Sequence, residues 1–135
     1  MNETVREWLR KAERDFATAR REIAVVQDPN YDGVCFHAQQ GAEKLLKAVL
    51  INLGVRPDRT HDLSHLGRSL HGLRPTWTWP EEDLIYLSRA SVEYRYPGEE
   101  ATDSDARQSL DIAERLRTAL LPLLPSGTLF DREGA

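Results

Sequence analysis

Between residues 4 and 120 the apolar side chains recur at intervals of three and four, and no segment alternates with period two over more than a few positions. A period of three to four lines up apolar groups on one stripe of a helix, whereas a half-buried strand needs a period of two. The chain is therefore constrained to helices that bury their stripes against one another. Val5, Trp8, Ala12, Phe16, Ala19, Ile23 and Val26 define a first helix over 4–27, with Glu7 and Lys11 at ion-pair spacing. Asp28-Pro29-Asn30 interrupts it, because proline disfavours helix at the residue before it and cannot donate to the ladder. Cys35, Ala38, Ala42, Leu45, Val49 and Leu53 define a second helix over 32–53, stopped by Gly54 and then Pro57. A connection of about four residues predicts that these two helices form an antiparallel hairpin.

After a loop over 54–59, Leu63, Leu66, Leu70 and Leu73 mark a short third helix over 60–73, with Thr60 or Asp62 to cap it. The stretch 74–80 reads as an ordered turn in which Trp77 or Trp79 closes one end of the core. Pro80 and the acids Glu81, Glu82 and Asp83 open a fourth helix, whose inner face is Leu84, Leu87, Ser91 and Tyr94, and Pro97-Gly98 ends it. Thr102 or Asp103 caps a last helix with the stripe Ala106, Leu110, Ala113, Leu116 and Leu120, broken near Pro122 and Pro125. The fold class is all-α, an up-and-down bundle of four to five helices in one domain over 1–125, and the tail 126–135 is expected to fray.

Composition narrows the function classes. The 135 residues are 40% hydrophobic and 30% charged, enough for one core and too short for a second domain. No apolar run approaches the roughly 20 residues of a membrane span, and the N-terminus lacks a signal-peptide core, so a soluble, cytoplasmic protein without a membrane partner is expected. The single cysteine, Cys35, lies between Val34 and Phe36 and suits a buried thiol. A net charge of −4 argues against a general nucleic-acid coat and leaves room for a local basic site. Fifteen of the 18 cations are arginine, which favours bidentate pairing with carboxylate or phosphate, although a GC-rich genome produces the same excess.

Three stretches carry chemistry. In FHAQQGAEK, His37, Gln40, Lys44 and Lys47 fall at steps of three and four, a donor-rich ridge able to hold a phosphate or a base edge, or simply a solvated face. In RTHDLSH, His61 and His65 have the i,i+4 spacing of metal ligands, but no cysteine and no third ligand accompany them. No metal and no cofactor are expected there. His61 and Asp62 are read instead as a hydrogen-bonded cap on the third helix, the carboxylate fixing the imidazole tautomer. In Tyr94-Arg95-Tyr96-Pro97, an arginine between two tyrosines suits a nucleotide or RNA and suits a dimer interface equally well. Phosphate loops, dinucleotide fingerprints and the common hydrolase motifs are absent.

Trp8 with Ala12 and Asp15, then FHAQQGAEKLLKAVL, RTHDLSHL and YRYP in that order, together resemble the HEPN domain (higher eukaryotes and prokaryotes nucleotide-binding). The resemblance covers about residues 4–121 and rests on the combination of motifs. It implies a helical bundle that dimerises with itself. It also implies a partner, a small nucleotidyltransferase in a toxin–antitoxin-like pair, with a nucleotide or RNA as ligand. Some members are ribonucleases that carry an R-x4-6-H motif late in the bundle, where arginine holds a phosphate and histidine moves a proton without a metal. Here Arg89 and Arg95 occupy that region and no histidine follows either. The spacing recurs only at Arg56 with His61 and Arg59 with His65, around the loop, and is not read as that motif. The first expectation is thus a binding module whose site comprises His37, Gln40, Lys44, His61 and Asp62. The alternative is a metal-independent endoribonuclease toxin using Arg89 or Arg95 with His37, His61 or His65. The resemblance further makes Tyr96 the candidate acceptor of an AMP group transferred by the partner.

Overall fold

A computed structural model of the chain describes residues 2–94 and 96–125. Among them five helices follow one another: α1 (Glu3–Ile23), α2 (Tyr31–Asn52), α3 (Leu63–Leu73), α4 (Glu81–Glu93) and α5 (Asp103–Leu120), the last running into a 3-10 turn over Leu121–Leu123. The expected all-α bundle is what forms, and Arg95 and the tail 126–135 lie outside the described residues. No helix among those described is long and apolar enough to cross a membrane.

α2 is the hub, packing against each of the other four helices. A helix in that position must be buried around most of its circumference. Accordingly Val34, Cys35, Ala38, Ala42, Leu45, Leu46, Val49 and Leu50 are buried, and so are the polar Gln39, Glu43 and Lys47. α1, by contrast, buries only the stripe Val5, Leu9, Ala12, Phe16 and Ala19 with one acid, Asp15. The two helices approach closely because Gly41 faces Phe16: a Cβ on Gly41 would lie 3.1 Å from the phenyl ring. Phe16 is fully buried, a contribution of about 1.5–3 kcal/mol. α1 and α5 are then tied by two reciprocal forks, Arg20 to Glu114 at 2.7 Å and Arg117 to Glu13 at 2.7 Å.

The helix ends are set by local chemistry. Asn2, Asn30, Asp62 and Thr102 each accept a backbone N–H in the first turn of α1, α2, α3 and α5, and Thr102 with Asp105 completes a capping box. α2 ends in a Schellman turn: Gly54 N–H donates to Ile51 and Val55 N–H to Leu50 at 3.0 Å. Gly54 has φ +85°, which a side chain would disfavour.

Three details differ from the periodicity. α1 stops at Ile23, not at 27, and Val26 is 94% exposed rather than part of the stripe. The turn is seven residues, 24–30, because Asn30 must cap α2 while its own N–H donates to Glu22 at 2.9 Å, and Asp28 takes φ +51° on the way. α3 begins at Leu63, since Thr60 accepts from Asp62 N–H and Asp62 becomes the cap. On α5 the inward stripe runs through Ser109 and Ile112, leaving Leu110 half-buried. Both Trp77 and Trp79 pack on the core, stacked with ring centroids 6.3 Å apart.

Candidate functional site

The polar residues of α2 are spaced so that Gln39, Glu43 and Lys47 share one face while His37, Gln40 and Lys44 share the next. Each face is organised by one buried carboxylate. Asp15 of α1 accepts from Lys44 Nζ at 2.6 Å and lies 2.8 Å from His37 Nδ1. Glu43, 3% exposed, accepts from Lys47 Nζ at 2.9 Å and Gln39 Nε2 at 3.1 Å, and lies 2.9 Å from His61 Nδ1. Gln39 also donates to the His61 carbonyl at 3.0 Å, and Gln40 donates to Gln39 at 2.8 Å. A continuous hydrogen-bonded path thus runs from Gln40 through Gln39 and Glu43 to His61.

Burial by itself pushes the Glu43 carboxyl up, but the hydrogen bonds from Lys47, Gln39 and His61 outweigh it and hold the group below the usual carboxylate range. Glu43 is therefore an acceptor-only carboxylate at neutral pH. His61 Nδ1 must accordingly donate to it, which leaves Nε2 as the free nitrogen on an imidazole that is 83% exposed. A buried carboxylate behind an exposed imidazole is the arrangement that orients a proton-transfer histidine.

His61 borders an open groove of about 640 Å³ between α3 and α4, to which Asp62, Ser64, Arg68 and Arg89 also contribute. Leu63 N–H donates to Ser88 Oγ at 3.0 Å, pinning the start of α3 to α4 and so fixing the groove's width. Arg68 pairs with Glu81, and Arg89 makes a longer contact, 3.3 Å, with Glu93 one turn on. Two guanidinium groups at the surface beside one imidazole can hold an anion and exchange a proton with it.

The predicted residues divide into two sets. His61, Asp62 and Arg89 meet in the α3–α4 groove. His37 and Lys44 do not line it; they are held on Asp15, so the ridge spends donors on an internal carboxylate. Asp62 caps α3 as expected, but the carboxylate that fixes the His61 imidazole is Glu43. His65 bonds a different acid, Asp58, at 2.7 Å. Arg95 lies outside the described residues. Tyr94 is half-buried and its hydroxyl is pushed up to about 12 by burial and by the Asp105 carboxylate, whereas Tyr96 is 65% exposed.

Asp15, Gln39 and Glu43 are the residues that sequence reasoning passed over as site components. The available signal was an acid and an amide at i and i+4 on a helix otherwise apolar around most of its surface, where an unpartnered charge is costly.

The HEPN domain model matches residues 5–123 of this chain. Two crystal structures share its fold. TT1696 from Thermus thermophilus is 23% identical with a TM-score of 0.72, covering 89% of this chain and 98% of its own. ST0689, an archaeal HEPN homologue, is 28% identical with a TM-score of 0.64, covering 87% and 95%. No curated protein matches the chain.

Proposed function

The chain belongs to the HEPN domain family, and from that premise we propose that it is a nucleotide-binding interaction subunit, paired with a small nucleotidyltransferase in a toxin–antitoxin-like system. The observation that carries this reading is the α3–α4 groove, where His61, oriented by buried Glu43, stands beside Arg89 and Arg68. A triphosphate is taken there by the two guanidinium forks in exchange for Glu81 and Glu93, the groove-lining acids they otherwise pair with, and His61 Nε2 contributes one further hydrogen bond. Calorimetry with ATP, with GTP and with a nucleotidyltransferase encoded beside this chain tests it: binding to at least one, weakened by His61→Ala and Arg89→Ala, is expected. Silence with all three removes the reading.

The same groove favours one second reading, a metal-independent endoribonuclease. His61 Nε2 would accept the proton of an RNA 2′-hydroxyl while Arg89 steadies the phosphate under attack. Growth arrest with RNA cleavage on induced expression, both lost in Arg89→Ala, would establish it; normal growth with intact RNA would exclude it.

Self-association fits the α4 side of the same groove. Ile85 and Val92 line it and are 43% and 49% exposed, two turns apart with Arg89 between them, an apolar strip that an isologous contact would cover, bringing the grooves of two protomers together. Sedimentation should give a dimer that Ile85→Asp dissociates.

A further inference from the structure

We propose that a second groove, between the N-terminal half of α1 and the loop after α2, is a nucleotide site in its own right, with the base against Trp8 and the phosphate on Arg56 and Arg59. It stands apart from the α3–α4 groove and does not rest on the reading given to that groove. Its volume is about 620 Å³, within the range of small-molecule sites. Its walls are apolar: the half-buried Trp8 indole on one side, and Ile51, Val55 and Pro57 on the other. The Schellman turn at Gly54 creates this wall, because it reverses the chain and brings Val55 back beside the last turn of α2.

The rim is positive in a chain that is negative as a whole. The exposed Arg56 and Arg59 contribute to it, and Asp58, the one acid among the residues lining the groove, is turned to His65. Several arginines elsewhere are matched to carboxylates, Arg20 to Glu114, Arg117 to Glu13, Arg107 to Asp103 and Arg115 to Asp111, while Arg21 and Arg74 bond a hydroxyl and a carbonyl instead. Arg56 and Arg59 form no ion pair among the described residues, and neither does Lys11, which borders the adjoining hollow on Trp8. Unmatched guanidinium groups beside a flat apolar wall ask for an anion attached to a flat apolar ring. Guanidinium forks take phosphate oxygens in bidentate fashion, and an indole face takes any nucleobase by stacking. Lys47 is already fixed by Glu43 and lies 5.6 Å from the Trp8 ring centroid, so the indole is held in place before a ligand arrives. An acidic peptide would satisfy the cations and leave the indole wall without a matching ring; it is the competing occupant that the test must separate.

The experiment uses the whole chain labelled with nitrogen-15, in which each of the three tryptophans gives one indole N–H signal, and Trp8→Phe identifies the signal of Trp8. Titration with 5′-AMP should shift that signal and the Val55 amide saturably, at concentrations at least about tenfold below those needed with adenosine or inorganic phosphate alone. Trp8→Ala, followed through Val55, and the pair Arg56→Ala with Arg59→Ala should each weaken binding about tenfold, the second also reducing its salt dependence. His61→Ala and Arg89→Ala should leave it unchanged. A Trp8 signal that stays fixed through millimolar AMP overturns the site, even if residues of the α3–α4 groove move, in which case that groove's reading survives alone. A response to phosphate without any preference for AMP, or to an oligoglutamate peptide and not to AMP, overturns it as well.

Discussion

The imidazole of His61 is 83% exposed, yet its Nδ1 lies 2.9 Å from Oε1 of Glu43, whose side chain is 4% exposed. An exposed histidine is thus oriented from inside the bundle, by a helix to which it does not belong. Because Glu43 also holds Lys47 and Gln39, the same carboxylate that positions the site stabilises the hub helix.

Removing that carboxylate should be costly, since Lys47 and the Gln39 amide would be left without it in a buried setting. Glu43→Ala is expected to lower unfolding free energy by about 3–5 kcal/mol in urea denaturation. Glu43→Gln keeps the volume and part of the hydrogen bonding and should cost less. A loss under about 1 kcal/mol for Glu43→Ala, the level of an exposed pair, would show that the network contributes little.

The pH dependence follows from the sign of the shift. The Glu43 carboxyl is held below its ordinary value in the folded state, so its contribution to stability is complete above the unfolded glutamate range and disappears as pH falls through the depressed folded value. Urea midpoints measured from neutral pH down to pH 3 should therefore fall less steeply in Glu43→Gln than in the parent. Parallel profiles would mean that Glu43 is equally acidic in both states.

Asp15 plays the corresponding role for His37 and Lys44 at the α1–α2 seam. Asp15→Ala should destabilise by about 1–3 kcal/mol, because Lys44, only a quarter exposed, loses its acceptor. His37 Nδ1 loses the same partner, so nitrogen-15 chemical shifts of the His37 ring should change in this variant while those of His61 stay as they are. A shift at His61 instead would indicate that the two carboxylates act as one unit.

Close approach of α1 and α2 depends on the missing side chain at Gly41. Gly41→Val should overpack the seam by about 1–3 kcal/mol, since its Cβ alone meets the Phe16 ring at 3.1 Å. In a double-mutant cycle Phe16→Leu should recover part of that loss, giving a non-additive pair. Strict additivity would place the strain elsewhere.

Tyr96, 65% exposed, is the expected acceptor if the proposed nucleotidyltransferase partner modifies this chain. Its phenol oxygen would attack the α-phosphorus of ATP, releasing pyrophosphate and passing its proton to a base. Mass spectrometry after incubation with the active partner and ATP should find one added AMP, lost in Tyr96→Phe. Unmodified protein beside a demonstrably active partner would leave Tyr96 a surface residue.

Periodicity and end signals are enough to read a bundle of four to five helices and the Gly54 stop, and to narrow two caps to Thr60 or Asp62 and to Thr102 or Asp103, because these depend on residues within a turn or two of one another. They also place His61 and Asp62 at the start of α3 and Arg89 on α4. What they do not supply is which acid answers which donor. Asp62 is adjacent to His61 in sequence, and adjacency suggests that it holds the imidazole. In the fold Asp62 is occupied with the α3 N-terminus, and Glu43, 18 residues earlier, supplies the bond. Lys44 reads as a free donor on a solvated ridge until α1 lays Asp15 against it at 2.6 Å. Val26 has the right spacing for the α1 stripe, yet the cap that α2 needs at Asn30 ends the helix first. Local hydrogen bonds and stripe patterns are written in neighbouring residues. The pairing of buried charges is decided only when helices far apart in sequence are packed together, because the desolvation that makes each partner obligatory arises from that packing.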